Sequence, residues 1–153
     1  MRHAAALLVL LSIVGGSLLA QAPTATPGAG LTTQTATTYS VTVSAGATLT
    51  NVSLTFEELV TPENVQITSI TGTAPTGVTI NPDPGTLPTA LAASQLFELT
   101  GTVNASNTPG DFVFTITVDD AGAQQTIFVV TLTLTNSNPT MSAGTDAVKG
   151  TGT

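Results

Sequence analysis

Phe112-Val113-Phe114-Thr115-Ile116-Thr117-Val118 and, beyond the turn Asp119-Asp120-Ala121-Gly122, the segment Thr126-Ile127-Phe128-Val129-Val130-Thr131-Leu132-Thr133-Leu134-Thr135 decide the fold of this chain. Phe112, Phe114, Ile116 and Val118 alternate with Val113, Thr115 and Thr117. On the second segment Phe128, Val130, Leu132 and Leu134 share one parity. A strand sends successive side chains to opposite faces, so this period of two means two half-buried strands. The Asp/Gly turn between them makes an antiparallel hairpin whose even-numbered residues point inward.

The same period recurs upstream. Tyr39, Val41 and Val43 alternate with Ser40 and Thr42, and Val52, Leu54 and Phe56 alternate with Ser53 and Thr55. Val65 and Ile67 begin another strand, Val78 and Ile80 mark a short one, and Phe97, Leu99, Gly101 and Val103 share a face. Turn residues separate these runs. The longest connection, 81–94, holds Pro82, Pro84, Gly85 and Pro88. About seven short strands without a helical period predict an all-β, antiparallel two-sheet sandwich. Composition agrees, because 32 of 153 residues are Thr and only 7% are charged, which favours strands over amphipathic helices. The expected core is Tyr39, Val41, Val52, Leu54, Phe56, Val65, Ile67, Phe97, Leu99, Phe112, Phe114, Ile116, Phe128, Val130 and Leu132. That suffices for one domain without a metal or disulfide, since each such side chain contributes about 1.5–3 kcal/mol on burial.

The flanks read differently. Arg2 and His3 precede an apolar run from Ala4 to Val14, and small residues lead to Ala20-Gln21-Ala22 before Pro23. This is the pattern of a cleaved signal peptide over 1–22. Gly15-Gly16-Ser17 interrupts the run, which argues against a membrane span of roughly 20 apolar residues. No Cys follows for lipid attachment and no second hydrophobic segment closes the sequence. Residues 23–37 read as a flexible linker rich in Pro, Thr, Ala and Gly, 38–136 as the sandwich, and 137–153 as a disordered tail. The expected location is secreted, extracellular or at the cell surface, with no transmembrane segment after cleavage. The absence of Cys suits bacterial export better than a disulfide-dense scaffold.

From Pro75 onward the chain resembles the immunoglobulin-like, cadherin-like domains of bacterial surface and secreted proteins. Pro75-Thr76-Gly77-Val78-Thr79-Ile80, Leu99-Thr100-Gly101-Thr102 and Pro109-Gly110-Asp111-Phe112-Val113-Phe114-Thr115-Ile116-Thr117-Val118-Asp119-Asp120-Ala121-Gly122 carry the likeness, over roughly sixty residues. The connection 81–96 is longer than those domains use, and the first two strands match weakly. The resemblance implies an immunoglobulin-like sandwich acting as a non-catalytic spacer or binding module.

The residue inventory narrows the chemistry. Past the leader there is no His, Cys, Arg or Trp, and the one Lys is Lys149. Ser-His-Asp and Cys-His nucleophiles cannot be assembled, and zinc, copper and haem lose their usual ligands. Nucleic acid and anionic membranes need basic side chains that are missing here. The pairs Glu57-Glu58 and Asp119-Asp120 suit glycoside hydrolysis poorly, because neighbours on a strand face opposite ways. No enzymatic activity is expected.

Calcium takes hard carboxylate oxygens, which makes Asp119 and Asp120, with Asp83 or Glu57, its candidate ligands. The plainer reading of Asp119-Asp120-Ala121-Gly122 is a solvated turn. No other cofactor is expected. Asn51-Val52-Ser53 and Asn104-Ala105-Ser106 match the glycosylation sequon by coincidence in a bacterial chain of this composition.

The outward face of the last hairpin carries Val113, Thr115, Thr117, Ile127, Val129, Thr131 and Thr133. Such β-branched pairs stabilise a sheet by themselves, yet a flat, nearly uncharged face also suits contact with another protein. Two functions compete. One is a structural or adhesive module that contacts a protein, an envelope component or another copy of itself. The other is a small-ligand binder for glycan, calcium or ice. Glycan binding lacks aromatic platforms, with one Tyr and no Trp.

Overall fold

A computed structural model describes residues 21–59 and 63–136. Residues 1–20 of the expected leader and the expected tail at 137–153 lie outside them.

Among the described residues nine strands follow in order: β1 (Thr24–Pro27), β2 (Thr32–Thr33), β3 (Thr38–Ser44), β4 (Val52–Glu57), β5 (Val65–Thr71), β6 (Val78–Asn81), β7 (Ser94–Gly101), β8 (Gly110–Asp120) and β9 (Gln125–Thr135). A single 3-10 turn at Pro84–Thr86 interrupts the long connection before β7. The strands form two sheets, ordered β1-β4-β7-β6 and β2-β3-β9-β8-β5. Strands β3 to β9 are the seven that the alternation predicts.

Strands β1 and β2 fall in the stretch expected to be linker. Thr24 to Pro27 pair antiparallel with Glu57 to Leu54, Pro23 is buried, and Leu31 reaches the core. The Pro and Gly residues that suggest flexibility instead punctuate a tight crossing from one sheet to the other. Gly28 N donates to Ser53 O at 2.8 Å and Gly30 N to Asn51 O at 3.0 Å. Tyr39 locks the exit of this crossing, its hydroxyl donating to Ala36 O at 2.9 Å.

The chain thus opens on one sheet with β1 and continues on the other with β3, which pairs parallel with β9. The second sheet is therefore mixed rather than wholly antiparallel. With β1 and β3 counted as one divided first strand, the first sheet holds strands one, two, five and four, and the second holds one, seven, six and three. That is the immunoglobulin-like connectivity.

The core lies between the sheets. Leu54, Phe56, Ile67, Phe97, Phe114, Ile116, Phe128, Val130 and Leu132 are buried, while Val41 and Phe112 are half-buried at the periphery. Two ring pairs cross the interface: Phe56 with Phe128 at 4.9 Å and Phe97 with Phe114 at 6.3 Å between centroids. A bulge between Ile67 and Ser69 resets the parity of β5 and turns Ile70 inward as well.

One open edge is covered. Val65 and Ala92 exchange backbone hydrogen bonds at 2.7 and 3.0 Å, Thr89 N donates to Ile67 O at 3.0 Å, and Ile67 N donates to Thr89 Oγ1 at 2.9 Å. The long proline-rich connection shields the free side of β5, where residues 21–136 hold none of the Lys that usually blunts edges.

Candidate functional site

The seven residues expected to form a contact face lie on one side of the five-stranded sheet. Val113, Thr115 and Thr117 of β8 stand opposite Thr131, Val129 and Ile127 of β9. Thr38, Ser40 and Thr42 of β3 extend these rows, as do Ser69 and Thr71 of β5. The outer surface of the five-stranded sheet is therefore a carpet of hydroxyl and β-branched side chains. Val113 and Ile127 are about half exposed, at 48% and 52%. Carboxylates flank it at its ends, where Asp111 accepts from the Thr133 hydroxyl at 2.7 Å and Asp119 from Gln125 Nε2 at 2.8 Å. No pocket opens among the described residues.

The four calcium candidates are not brought together. Asp119 faces outward with Gln125. Asp83 caps the 3-10 turn, accepting from Gly85 N at 2.9 Å. Glu57 ends β4 between Thr24 and Ser94. Asp120 alone turns inward, where it is 4% exposed, and it meets two carboxylates not among those candidates. One ligand oxygen from each of Glu58, Glu63 and Asp120 lies within 4.8 Å of the other two. Both residues close strand β8 rather than sit in the turn: Asp120 is buried, and Asp119 is half-buried beside Gln125.

Each member of this trio continues the inward parity of its strand. Glu58 follows Val52, Leu54 and Phe56 off the end of β4, Glu63 precedes Val65 and Ile67 at the start of β5, and Asp120 follows Ile116 and Val118 at the end of β8. The two sheets contribute from both sides, so the carboxylates close one end of the sandwich above the apolar core. The β8–β9 turn packs over them. Ala121 N donates to Asn64 O at 2.9 Å, and a Cβ at Gly122 would come within 2.8 Å of Glu63 Oε2. Asp120 Oδ1 accepts from Gln124 N at 2.7 Å, whereas Asp120 Oδ2 and Glu63 Oε2 are enclosed without a hydrogen-bond partner. Thr126, opposite Val118 on the same inward face, likewise encloses an unpartnered hydroxyl. Arg2, His3 and Lys149 are the only basic side chains of the chain, so residues 21–136 offer these carboxylates no counter-charge.

No family model matches the chain, and no curated protein does. Among solved structures it is similar to the GspB Siglec domain, with a TM-score of 0.41 and 10% identity over 76% of this chain and 59% of that one. An endo-fucoidan hydrolase of glycoside hydrolase family 107 gives a TM-score of 0.40 and 17% identity, over 72% of this chain and 15% of that one. The chain spans less than two thirds of the length of either.

Proposed function

We propose that the chain is a non-catalytic, exported immunoglobulin-like module, secreted or held at the cell surface, that works as a structural or adhesive element through protein contact. The observation that carries this reading is the outer face of the five-stranded sheet, rich in hydroxyl and β-branched side chains and nearly uncharged, with Val113 and Ile127 half exposed on it. Desolvating such a face is cheap, because few charges must be stripped of water. The lack of His, Cys and Arg past the leader supports the non-catalytic part.

The test uses the mature chain and the paired variant Val113→Lys with Ile127→Lys. Light scattering reads self-association, and capture from the producing cell's envelope with mass spectrometry reads partners. The wild type should self-associate or retain a protein, and the variant should lose that contact while its Tm moves by only a few degrees, as surface substitutions do. A strictly monomeric wild type that captures no protein and is retained on a glycan column would replace this reading with the small-ligand one.

A further inference from the structure

We propose that Glu58, Glu63 and Asp120 form a calcium site that closes one end of the sandwich, with Asp120 as its anchoring ligand and Asp119 outside it. Three carboxylates converge within 4.8 Å where two of them, Glu58 and Asp120, are 5% and 4% exposed. Like charges at that distance in a place of low dielectric repel strongly, and each resists losing its water. A carboxylate trio is elsewhere relieved by Lys or Arg. Residues 21–136 contain neither.

The second observation concerns Asp120 itself. Its Oδ1 accepts from Gln124 N at 2.7 Å, and its Oδ2 is enclosed without a hydrogen-bond partner. Buried oxygens are almost always bonded, so one left unpartnered on a residue that meets two other carboxylates asks for a ligand that accepts lone pairs. Glu63 Oε2 is enclosed in the same way. An all-oxygen donor set without His or Cys selects hard cations. Calcium binds six to eight oxygens at about 2.3–2.6 Å, so ligands on opposite sides stand up to about 5 Å apart, which matches the spread of this trio. Magnesium, with bonds of about 2.0–2.1 Å, would need the cluster to contract. Three carboxylates supply up to six oxygens, and bound water can complete the shell.

The ion would join the two sheets at an end where Gln95 Nε2 of β7 also donates to Val65 O of β5 at 3.2 Å. Glu58 directly follows β4 of the four-stranded sheet, while Glu63 precedes β5 and Asp120 ends β8 of the five-stranded one. A chain without disulfides gains there a clamp between its two layers, filled wherever calcium is millimolar and released where it is not.

Calcium alone, added to the full mature chain, tests this. Calorimetric titration should find one site per chain with Kd in the range of about 10⁻⁵ to 10⁻³ M. Thermal melts in 10 mM calcium against EGTA should show a rise of about 5–15 °C, following the linkage of ligand to Tm. Asp120→Asn keeps the acceptor for Gln124 N and should weaken binding at least tenfold and abolish the rise, with a Tm in EGTA equal to or above wild type. Asp119→Asn should change neither. If Asp120→Asn does not fold, Glu63→Gln, which is less buried, must show the same loss of binding. Equal Tm in calcium and EGTA, undiminished binding in both cluster variants, loss of binding in Asp119→Asn, or equal affinity for magnesium would each overturn the assignment.

Discussion

With no disulfide and no Trp, the two sheets are held together by ring contacts that can be cut one at a time. Phe128 of β9 meets Phe56 of β4 at 4.9 Å with the rings tilted by 37°, and both are essentially inaccessible to water. Replacing Phe128 by Ala removes the ring and leaves a cavity between the sheets, which costs about 3–5 kcal/mol. A domain of roughly 110 residues has a total stability of about 5–15 kcal/mol, so this is a large part of it. Unfolding entropy near 2.1 cal/mol/K per residue gives about 0.23 kcal/mol/K for the domain, and the expected fall in Tm is about 13–22 °C.

Urea unfolding supplies the assay. Far-UV dichroism follows the strands, and the fluorescence of Tyr39, the one Tyr in the chain and 3% exposed, follows the core without interference from Trp. The midpoint should fall while the slope stays constant, because the surface exposed on unfolding hardly changes. The milder variants Phe56→Leu and Phe128→Leu then form a double-mutant cycle. Rings in contact should couple by about 0.5–1.5 kcal/mol. A loss below about 1 kcal/mol for Phe128→Ala, or additivity in the cycle, would refute the placement of this pair between the sheets.

Two further outcomes follow from single positions. Gly101, at φ +110, faces the Gly77 carbonyl so closely that a Cβ would overlap it, so Gly101→Ala should destabilise by at least about 2 kcal/mol in the same urea assay. Burial pushes the Tyr39 phenol above its ordinary value of 10.0, so the folded state keeps its proton to higher pH than the unfolded one. Its contribution is therefore complete below about pH 10 and is lost as pH rises through the folded value, and Tyr39→Phe should flatten the alkaline arm of a stability–pH curve.

The strands were legible from β3 onward because large apolar residues alternate there with Thr and Ser. Strands β1 and β2 were not, since Thr24-Ala25-Thr26-Pro27 places only Ala25 and Pro27 on the inner register, opposite Phe56 and Leu54. Such small side chains give no hydropathy contrast. Their strand character comes from the partner, because β4 offers a free edge that only tertiary structure reveals. The parallel pairing of β3 with β9 is hidden for the same reason: alternation reports which face a residue takes, never which neighbour it pairs with. The outward face of the last hairpin, by contrast, needed only the parity of that hairpin, and its seven residues lie on one side of the sheet.

The carboxylate trio shows how far parity could have been carried. Asp119 and Asp120 look like one motif in a turn, yet a period of two sends them to opposite faces, and only Asp120 extends the line of Ile116 and Val118. Glu57 and Glu58 divide in the same way, Glu58 extending Leu54 and Phe56. Given the strand order of an immunoglobulin-like sandwich, the rest is topology. The connection from β4 to β5 places the end of one beside the start of the other, and β8, antiparallel to β5, must end where β5 begins. Glu58, Glu63 and Asp120 are then the inward residues of three strand termini at one end of the molecule. Only eight carboxylates lie in residues 21–136. A chain free to scatter them over its surface has turned three inward at a single place, against the repulsion this entails, and the proposed calcium would offset that repulsion.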